Sequence, residues 1–164
     1  MNVAARLVVV TAVTFGLMYS SVTGASAARP EKEYFTDSFG FTDTSLCGFP
    51  IDVSLQFVGF EIGFFDQSGD LKRVAFHFEE QDTFTANGTT LVSEPYTFNG
   101  QARFSDDELV SFEAHGILVK VRLPDGSIFM GAGSTDILAR SLGFVAAPDH
   151  GVAKNQDAFC AALS

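Results

Sequence analysis

Apolar and polar residues alternate one by one along most of this chain, and no apolar pattern with a helical period of 3.6 residues spans a long segment. Such alternation is typical of β-strands with one buried face. It is clearest over residues 53–57, 74–78, 110–114 and 117–123. Because no helix is predicted between these strands, a parallel sheet is excluded and the sequence indicates an all-β antiparallel sheet.

Glycine-containing turns separate the predicted strands. Short hairpin turns are expected at Gly69, Asn87-Gly88, Asn99-Gly100, Gly116 and residues 124–126, which leaves about eight strands. At Gly59 the alternation changes phase, since Phe60, Ile62 and Phe64 continue it on the other parity. A β-bulge or a strong bend would produce this phase change.

The short turns favour an up-and-down meander that closes into a small barrel, because closure buries the apolar face and removes both sheet edges. Gly59, Gly63, Gly131 and Gly133 would then be bend points. A β-sandwich is the alternative architecture. The barrel domain and its tail are assigned to residues 51–164, with a short helix at 157–163. Residues 28–50 form a lead-in segment, with a short edge strand expected near 34–39.

Residues 1–27 have the features of a secretory signal peptide. Arg6 is followed by an apolar run at 7–18, and Ala25-Ser26-Ala27 fits the small-residue cleavage pattern. The run is too short for the roughly 20 residues of a membrane span. We therefore expect cleavage after Ala27 or Ala28 and a secreted or cell-envelope protein that does not contact the membrane afterwards.

Two cysteines, Cys47 and Cys160, lie in the part of the chain that would remain after cleavage. In an oxidising compartment such a pair forms a disulfide, whereas two separately buried thiols are the alternative. A bridge over so long a loop stabilises a fold by roughly 4–5 kcal/mol in the chain-entropy description.

The charge balance argues against nucleic acid as a partner. The chain has 10 Lys and Arg against 20 Asp and Glu, a net charge of −10, and removal of Arg6 makes this 9 − 20 = −11. Nucleic-acid binders of this size are usually basic. No phosphate loop, dinucleotide fingerprint or metal-binding motif occurs in the sequence, so no cofactor and no metal are predicted.

Histidine and acidic side chains are the weak catalytic candidates. His77 and His115 lie on predicted strands, and Glu113 precedes His115 by two residues. These three residues could supply acid–base chemistry at a barrel mouth, or they could lie on the solvent face. Asn87-Gly88-Thr89 also matches a glycosylation acceptor, although its role as a hairpin turn explains it equally well.

Phenylalanine is the unusual residue of the chain, with 18 Phe and no Trp. An eight-stranded barrel is just wide enough to be filled by side chains or to hold one small ligand. Walls rich in Phe suit an apolar ligand, and a filled core is the alternative role. The rings predicted to line such a site are Phe57, Phe76, Phe78, Phe98 and Phe112.

The segment Cys47-Gly48-Phe49-Pro50, with the turns at Gly69, Asn87-Gly88-Thr89 and Asp125-Gly126, resembles a group of small exported bacterial proteins, mostly uncharacterised. In architecture alone, the meander resembles lipocalin-like and allene-oxide-cyclase-like barrels, which include bacterial cyclases acting on polyenes. This resemblance implies a fold and transfers no functional residue.

Together these features predict a secreted β-barrel protein that binds a small apolar ligand or acts as an extracellular interaction module, and that is not an enzyme. A barrel-type cyclase or isomerase acting on a polyene-like substrate is one alternative. A solid-core structural or inhibitory surface protein is the other. The oligomeric state is left open.

Overall fold

A computed structural model describes residues 30–138 and 147–164 of the chain. The predicted signal peptide, residues 1–27, and the first two residues of the predicted lead-in segment, 28–50, lie outside these residues. The described elements are β1 Glu31–Asp43, β2 Ile51–Phe65, β3 Leu71–Ala86, β4 Thr89–Val92, β5 Tyr96–Ser105, β6 Glu108–Arg122, β7 Ile128–Asp136, β8 His150–Lys154 and α1 Gln156–Ala162. All strand pairings are antiparallel, which confirms the predicted all-β class with its short C-terminal helix.

The strands form one sheet in the order β1-β2-β3-β5-β6-β7-β8, with β4 paired to the end of β3. In the described part of the chain this sheet is open, because β1 pairs with β2, β8 pairs with β7, and no ladder joins the two edges. The predicted closure into a barrel is therefore not observed there. The edges are also unequal, since β8 has 5 residues against 13 in β1.

The predicted lead-in segment contributes a full strand. β1 pairs with β2 in continuous register from Glu31 opposite Gly63 to Asp43 opposite Ile51. The edge strand is thus longer than the one expected at residues 34–39. Its scattered Phe residues, which showed no clear period in isolation, alternate with the pleat once β2 fixes the register.

The sheet has an inner face, which carries the buried core and α1, and an outer face. Residues directly opposite each other in an antiparallel ladder share a face. Val53 opposite Phe84 is buried and defines the inner face, whereas Phe60 opposite His77 lies on the outer face. Following this register assigns a face to every paired residue of the sheet.

The inner face is packed solid at one end, beneath α1. Phe159 of α1 is 0% exposed and lies with its ring centroid 4.3 Å from Phe129, stacked, and 5.2 Å from Phe84, edge-on. Burying large side chains in this way is the main source of stability in a domain of this size. The remaining members of this core are Ile51, Val53, Leu55, Ala86, Leu91, Val119, Val121, Leu123 and Leu163.

A disulfide and two side-chain amides hold α1 against the sheet. Cys47, in the segment between β1 and β2, is bonded to Cys160, which confirms the predicted pairing. The Gln156 amide donates to the Leu46 carbonyl across 2.8 Å, and the Asn87 amide donates to the Leu163 carbonyl across 2.9 Å. Both ends of the helix are therefore tied to different parts of the sheet.

Several predicted turns are confirmed. Asn87 and Gly88 connect β3 to β4 with φ values of 49° and 79°, the left-handed conformation that a two-residue hairpin turn requires. The turns around Gly69 and Gly126 also lie between strands. The connection from β5 to β6 is made instead by Asp106 and Asp107, both with positive φ.

Two predicted turns and one predicted bulge are wrong. Asn99-Gly100 lies inside β5, and Gly116 lies inside β6. The phase change after Gly116 is real, but it comes from a β-bulge between Ile117 and Val119 within one continuous strand. At Gly59 the ladder continues without a shift, so Phe60 simply faces outward; the irregularity in β2 lies between Phe64 and Phe65.

In the described part of the chain, no helix is long and apolar enough to span a membrane.

Candidate functional site

The half of the inner face that α1 does not cover carries a cluster of aromatic rings. The strand register places the five rings predicted to line a site on this one face, and Phe35 of β1 joins them through ring contacts with Phe57 and Phe78. We call this set the aromatic cluster: Phe35, Phe57, Phe76, Phe78, Phe98 and Phe112.

Every ring of the aromatic cluster contacts at least one other ring of the cluster. Phe78 lies at its centre, with ring centroids 4.9 Å from Phe35, 4.9 Å from Phe76, 5.6 Å from Phe57 and 5.6 Å from Phe98. Most pairs meet edge to face or tilted, the arrangements that aromatic quadrupoles favour. The cluster therefore forms one apolar surface that spans five strands.

The aromatic cluster differs from the core in its exposure. Phe76 is buried at 6% exposure, but the other five rings are only half-buried. The core rings Phe84, Phe129 and Phe159 are all 0% exposed. One half of the inner face is thus filled with side chains, whereas the other half presents aromatic surface.

Glycines on the inner face make room for the rings. A Cβ at Gly100 would collide with the Glu113 carbonyl oxygen and the Phe76 ring, and a Cβ at Gly59 would collide with the His77 carbonyl oxygen and the Phe78 ring. Each position is opposite the ring concerned in the strand register. The two rings therefore lie flat across the neighbouring strand, which no other residue at these positions would permit without a shift.

A pair of carboxyl groups separates the aromatic cluster from the packed core. Along β3 the inner-face residues run Phe78, Glu80, Asp82 and Phe84, so two acids occupy positions with apolar neighbours on both sides. Tyr96, opposite Glu80 on β5, donates from its hydroxyl to Asp82 Oδ2 across 2.6 Å and lies 2.8 Å from Glu80 Oε1. These three residues form the carboxyl pair and its tyrosine.

Asp82 is 0% exposed, and its Oδ1 has no hydrogen-bond partner in the described part of the chain. A buried polar atom without a partner is uncommon in native proteins, because its desolvation is not compensated. Ser93 satisfies the Asp82 backbone by accepting from its N–H across 2.7 Å. Asp82 Oδ1 is therefore the atom of this residue that the described part of the chain leaves without a hydrogen-bond partner.

Burial raises the pKa of both carboxyl groups. For Glu80 burial is the largest cause and the neighbouring Asp82 charge adds to it. For Asp82 burial again dominates, opposed by hydrogen bonds from Tyr96 and Glu80. Two acids that share an apolar site ionise in succession, so the pair holds one proton at neutral pH. Burial also raises the pKa of Tyr96, which stays a hydrogen-bond donor.

Basic residues of the described strands are almost confined to the outer face, whereas acids occur on both faces. Acids on the inner face include Glu33, Asp37, Glu61, Glu80 and Asp82. Apart from Lys72, which is ion-paired at the β2–β3 turn with Asp66 and Asp70, the paired basic residues of the described strands all face outward. They are Lys32, Arg73, Arg103, Lys120, Arg122 and Lys154.

The histidine and glutamate candidates lie on the outer face. His77 contacts Phe60 and Asn99, with its Nδ1 2.6 Å from Asn99 Oδ1. His115 is exposed, and its Nε2 lies 3.9 Å from the Glu113 carboxylate. The structure therefore separates these three residues from the aromatic cluster by the thickness of the sheet.

A shallow outer-face cleft of about 300 Å³ brings His115 close to His150 of β8. It also contains Glu113, Asp136 and Asp149, but Asp149 accepts hydrogen bonds from Thr135 Oγ1 and the Asp136 N–H. In residues 30–138 and 147–164, no three His, Cys, Asp or Glu side chains are arranged to hold a metal ion. The cleft therefore offers polar surface without a coordination geometry.

Sequence reasoning missed the carboxyl pair and Tyr96. The signal was present, because Glu80 and Asp82 share the parity of Phe76, Phe78 and Phe84 and therefore had to face inward with them. Acids at strand positions that point to the same face as the apolar residues indicate a buried polar site.

Comparisons of this chain with known protein families, with curated proteins and with solved structures gave no match.

Proposed function

We propose that this protein is an exported β-sheet protein that binds a small apolar ligand on the aromatic cluster. One observation carries the proposal: five of the six rings stay half-exposed, while the rings at the other end of the same face are fully buried. Apolar ligands are bound by aromatic walls that carry a few polar groups, and the carboxyl pair supplies such groups at the edge of the cluster.

Export is the second part of the proposal. The disulfide between Cys47 and Cys160 favours a non-cytoplasmic compartment, because thiols are kept reduced in the cytosol. Cleavage after Ala27 or Ala28 would release a chain that begins at Ala28 or Arg29. Mass spectrometry of the protein recovered from an expressing host tests this, and a mass that includes residues 1–27 contradicts it.

Closure of the sheet into a barrel stays a prediction. It would require the edges β1 and β8 to approach each other, which spin labels at the exposed positions Ser38 and Val152 can report. A distance distribution that shortens when ligand is added supports closure around the ligand. A distribution that ligand does not change contradicts it.

The apolar-ligand proposal is tested with Nile red, a neutral dye whose fluorescence increases in apolar sites. We expect saturable binding to the purified protein at a 1:1 ratio. F78A removes the ring at the centre of the aromatic cluster, and F60A removes an outer-face ring in the neighbouring strand. Binding should fall at least tenfold in F78A and change less than twofold in F60A. Equal binding by both variants, or no binding at all, contradicts the proposal.

Two other functions have weaker support. A cyclase that used His77 and His115 on a ligand held by the aromatic cluster would need those side chains on the inner face, and both face outward. A solid-core structural protein accounts for the half of the inner face beneath α1 but not for the half-exposed rings.

A further inference from the structure

Cations are distributed unevenly over the aromatic rings of this chain. On the outer face the Lys32 ammonium lies 3.7 Å from the centroid of Phe60, and the Arg73 guanidinium lies 3.8 Å from that of Phe64. On the inner face no Lys or Arg of the described strands lies over a ring of the aromatic cluster. The outer rings thus have cations from their own chain, and the inner rings have none.

The carboxyl pair on the inner face also lacks a cationic side chain beside it in the described part of the chain. Among the described residues, no Lys, Arg or His forms an ion pair with Glu80 or Asp82. The groups that face the pair from the adjacent strands are Leu55 and Phe57 on β2 and Tyr96 on β5. A buried negative charge without a cation is costly, and a cation that enters the site relieves that cost.

We propose that the ligand of the aromatic cluster is a hydrophobic organic cation, a protonated amine whose apolar body lies on the Phe rings and whose ammonium group faces Glu80 and Asp82. This inference rests on the proposed function. Glu80, the partly exposed member of the pair, accepts a hydrogen bond from the ammonium, whose charge also compensates that of the buried Asp82 with its unpartnered Oδ1. Its charge is attracted by the faces of Phe57, Phe78 and Phe98, which border the pair.

The carboxyl pair gives this binding mode a measurable signature. In the empty site the pair holds one proton, because burial raises the pKa of both acids. An adjacent ammonium favours the ionised form of each carboxyl group, so binding of the amine releases a proton to the buffer. A neutral ligand on the same rings has no such effect.

The experiment compares three probes with one ring system: 1-naphthylmethylamine, 1-naphthylmethanol and 1-naphthoate. Isothermal titration calorimetry at pH 7 should show the amine binding at least tenfold more tightly than the alcohol, with the carboxylate weakest. Repeating the amine titration in buffers of different ionisation enthalpy should show release of between half a proton and one proton.

Matched variants test whether the preference for the amine comes from the charge of Glu80 and Asp82 or from the shape of the site. The double variant E80Q/D82N keeps the size of both side chains and removes their charge, so the amine should bind no more tightly than the alcohol. D37N, an exposed inner-face acid opposite Phe57, should leave the ratio of affinities within twofold.

The outcomes distinguish the two proposals. If the alcohol binds as tightly as the amine, or no proton is released, the inference about the cation is overturned and the apolar-ligand proposal stands. If none of the three probes binds and Nile red does not bind either, the proposed function itself falls. The wild-type titrations decide the question even if the double variant does not fold.

Discussion

The hydroxyl of Tyr96 on β5 donates a 2.6 Å hydrogen bond to Asp82 Oδ2 on β3, and both side chains are buried. The phenol supplies a donor to a carboxylate that has no cation beside it in the described part of the chain. The carboxyl pair is thus held together by hydrogen bonds instead of by ion pairing, and the first two predictions follow from this arrangement.

Y96F removes the donor while keeping the ring. Asp82 then loses its phenol partner in a buried site, so the free energy of unfolding should fall by about 1–3 kcal/mol. Urea denaturation at pH 7 measures the change. Y34F is the matched control, because Tyr34 is 71% exposed on the outer face and its hydroxyl is available to water. A loss in Y96F no greater than that in Y34F contradicts the assignment.

E80Q should change the pH dependence of stability. Burial raises the pKa of Glu80 from 4.5 to about 9, so between these values the folded state binds a proton that the unfolded state has lost. The contribution of Glu80 to stability is therefore greatest below pH 4.5 and declines as the pH rises through this window. Relative to wild type, E80Q should therefore gain stability steadily between pH 5 and pH 8.5, by roughly 1 kcal/mol for each pH unit.

Urea midpoints across this pH range measure the gain in E80Q. E79Q is its control, because Glu79 is an exposed acid at the neighbouring outward-facing position. A gain in E80Q that does not vary with pH, or an equal gain in E79Q, would show that Glu80 does not titrate as described.

F159A should unfold the end of the inner face that α1 covers. Phe159 is fully buried between Phe84 and Phe129, so truncation should cost about 3–5 kcal/mol. Phe39, 40% exposed on β1, provides the comparison, and F39A should cost less than half as much. Thermal and urea unfolding both report the difference, and similar losses in the two variants would contradict the packing described.

The double variant C47S/C160S should lose about 4–5 kcal/mol of stability, because the bridge spans 113 residues and restricts the unfolded chain. Hydrogen exchange should show the earliest loss of protection in α1, which the bridge ties to the segment before β2. Reduction of the wild-type protein is the control and should reproduce the loss. A double variant as stable as the oxidised protein contradicts this prediction.

N87G tests whether Asn87 has a structural role. Glycine keeps the left-handed backbone of the turn but cannot donate to the Leu163 carbonyl, so stability should fall by about 1 kcal/mol. T89A removes the glycosylation acceptor sequence without removing this hydrogen bond, and should cost less than half as much. If T89A has the larger effect in a glycosylating host, the sequence acts as an acceptor.

The sequence predicted features whose chemistry is local. The Asn87-Gly88 turn follows from the backbone freedom of two adjacent residues, and the Cys47–Cys160 bridge follows from an even cysteine count in a chain that is predicted to be exported. The five Phe residues on one face followed from strand alternation, since residues two apart share a face.

Features that depend on partners across the sheet were not predictable in this way. Asn99-Gly100 has the composition of a turn, yet Gly100 lies within β5, paired with Phe76 and Ala114 at a point where a Cβ would meet the Glu113 carbonyl and the Phe76 ring. The carboxyl pair needs Tyr96, and only the pairing of β3 with β5 brings Tyr96 opposite Glu80. His77, in contrast, has the opposite parity to Phe76 and Phe78, so strand alternation already indicated the outer face for it.

The position of α1 in the chain determines when the core can be completed during synthesis. Phe159, Cys160 and Leu163 all lie in or next to α1, which follows every strand of the sheet in chain order, and together they complete the core, the disulfide and the tie to the Asn87 turn. Because synthesis proceeds from the N-terminus, all eight strands are made before α1, and Phe84 and Phe129 lack their packing partner Phe159 until α1 has been made. The core of this sheet is thus completed by an element that is synthesised after all of its strands.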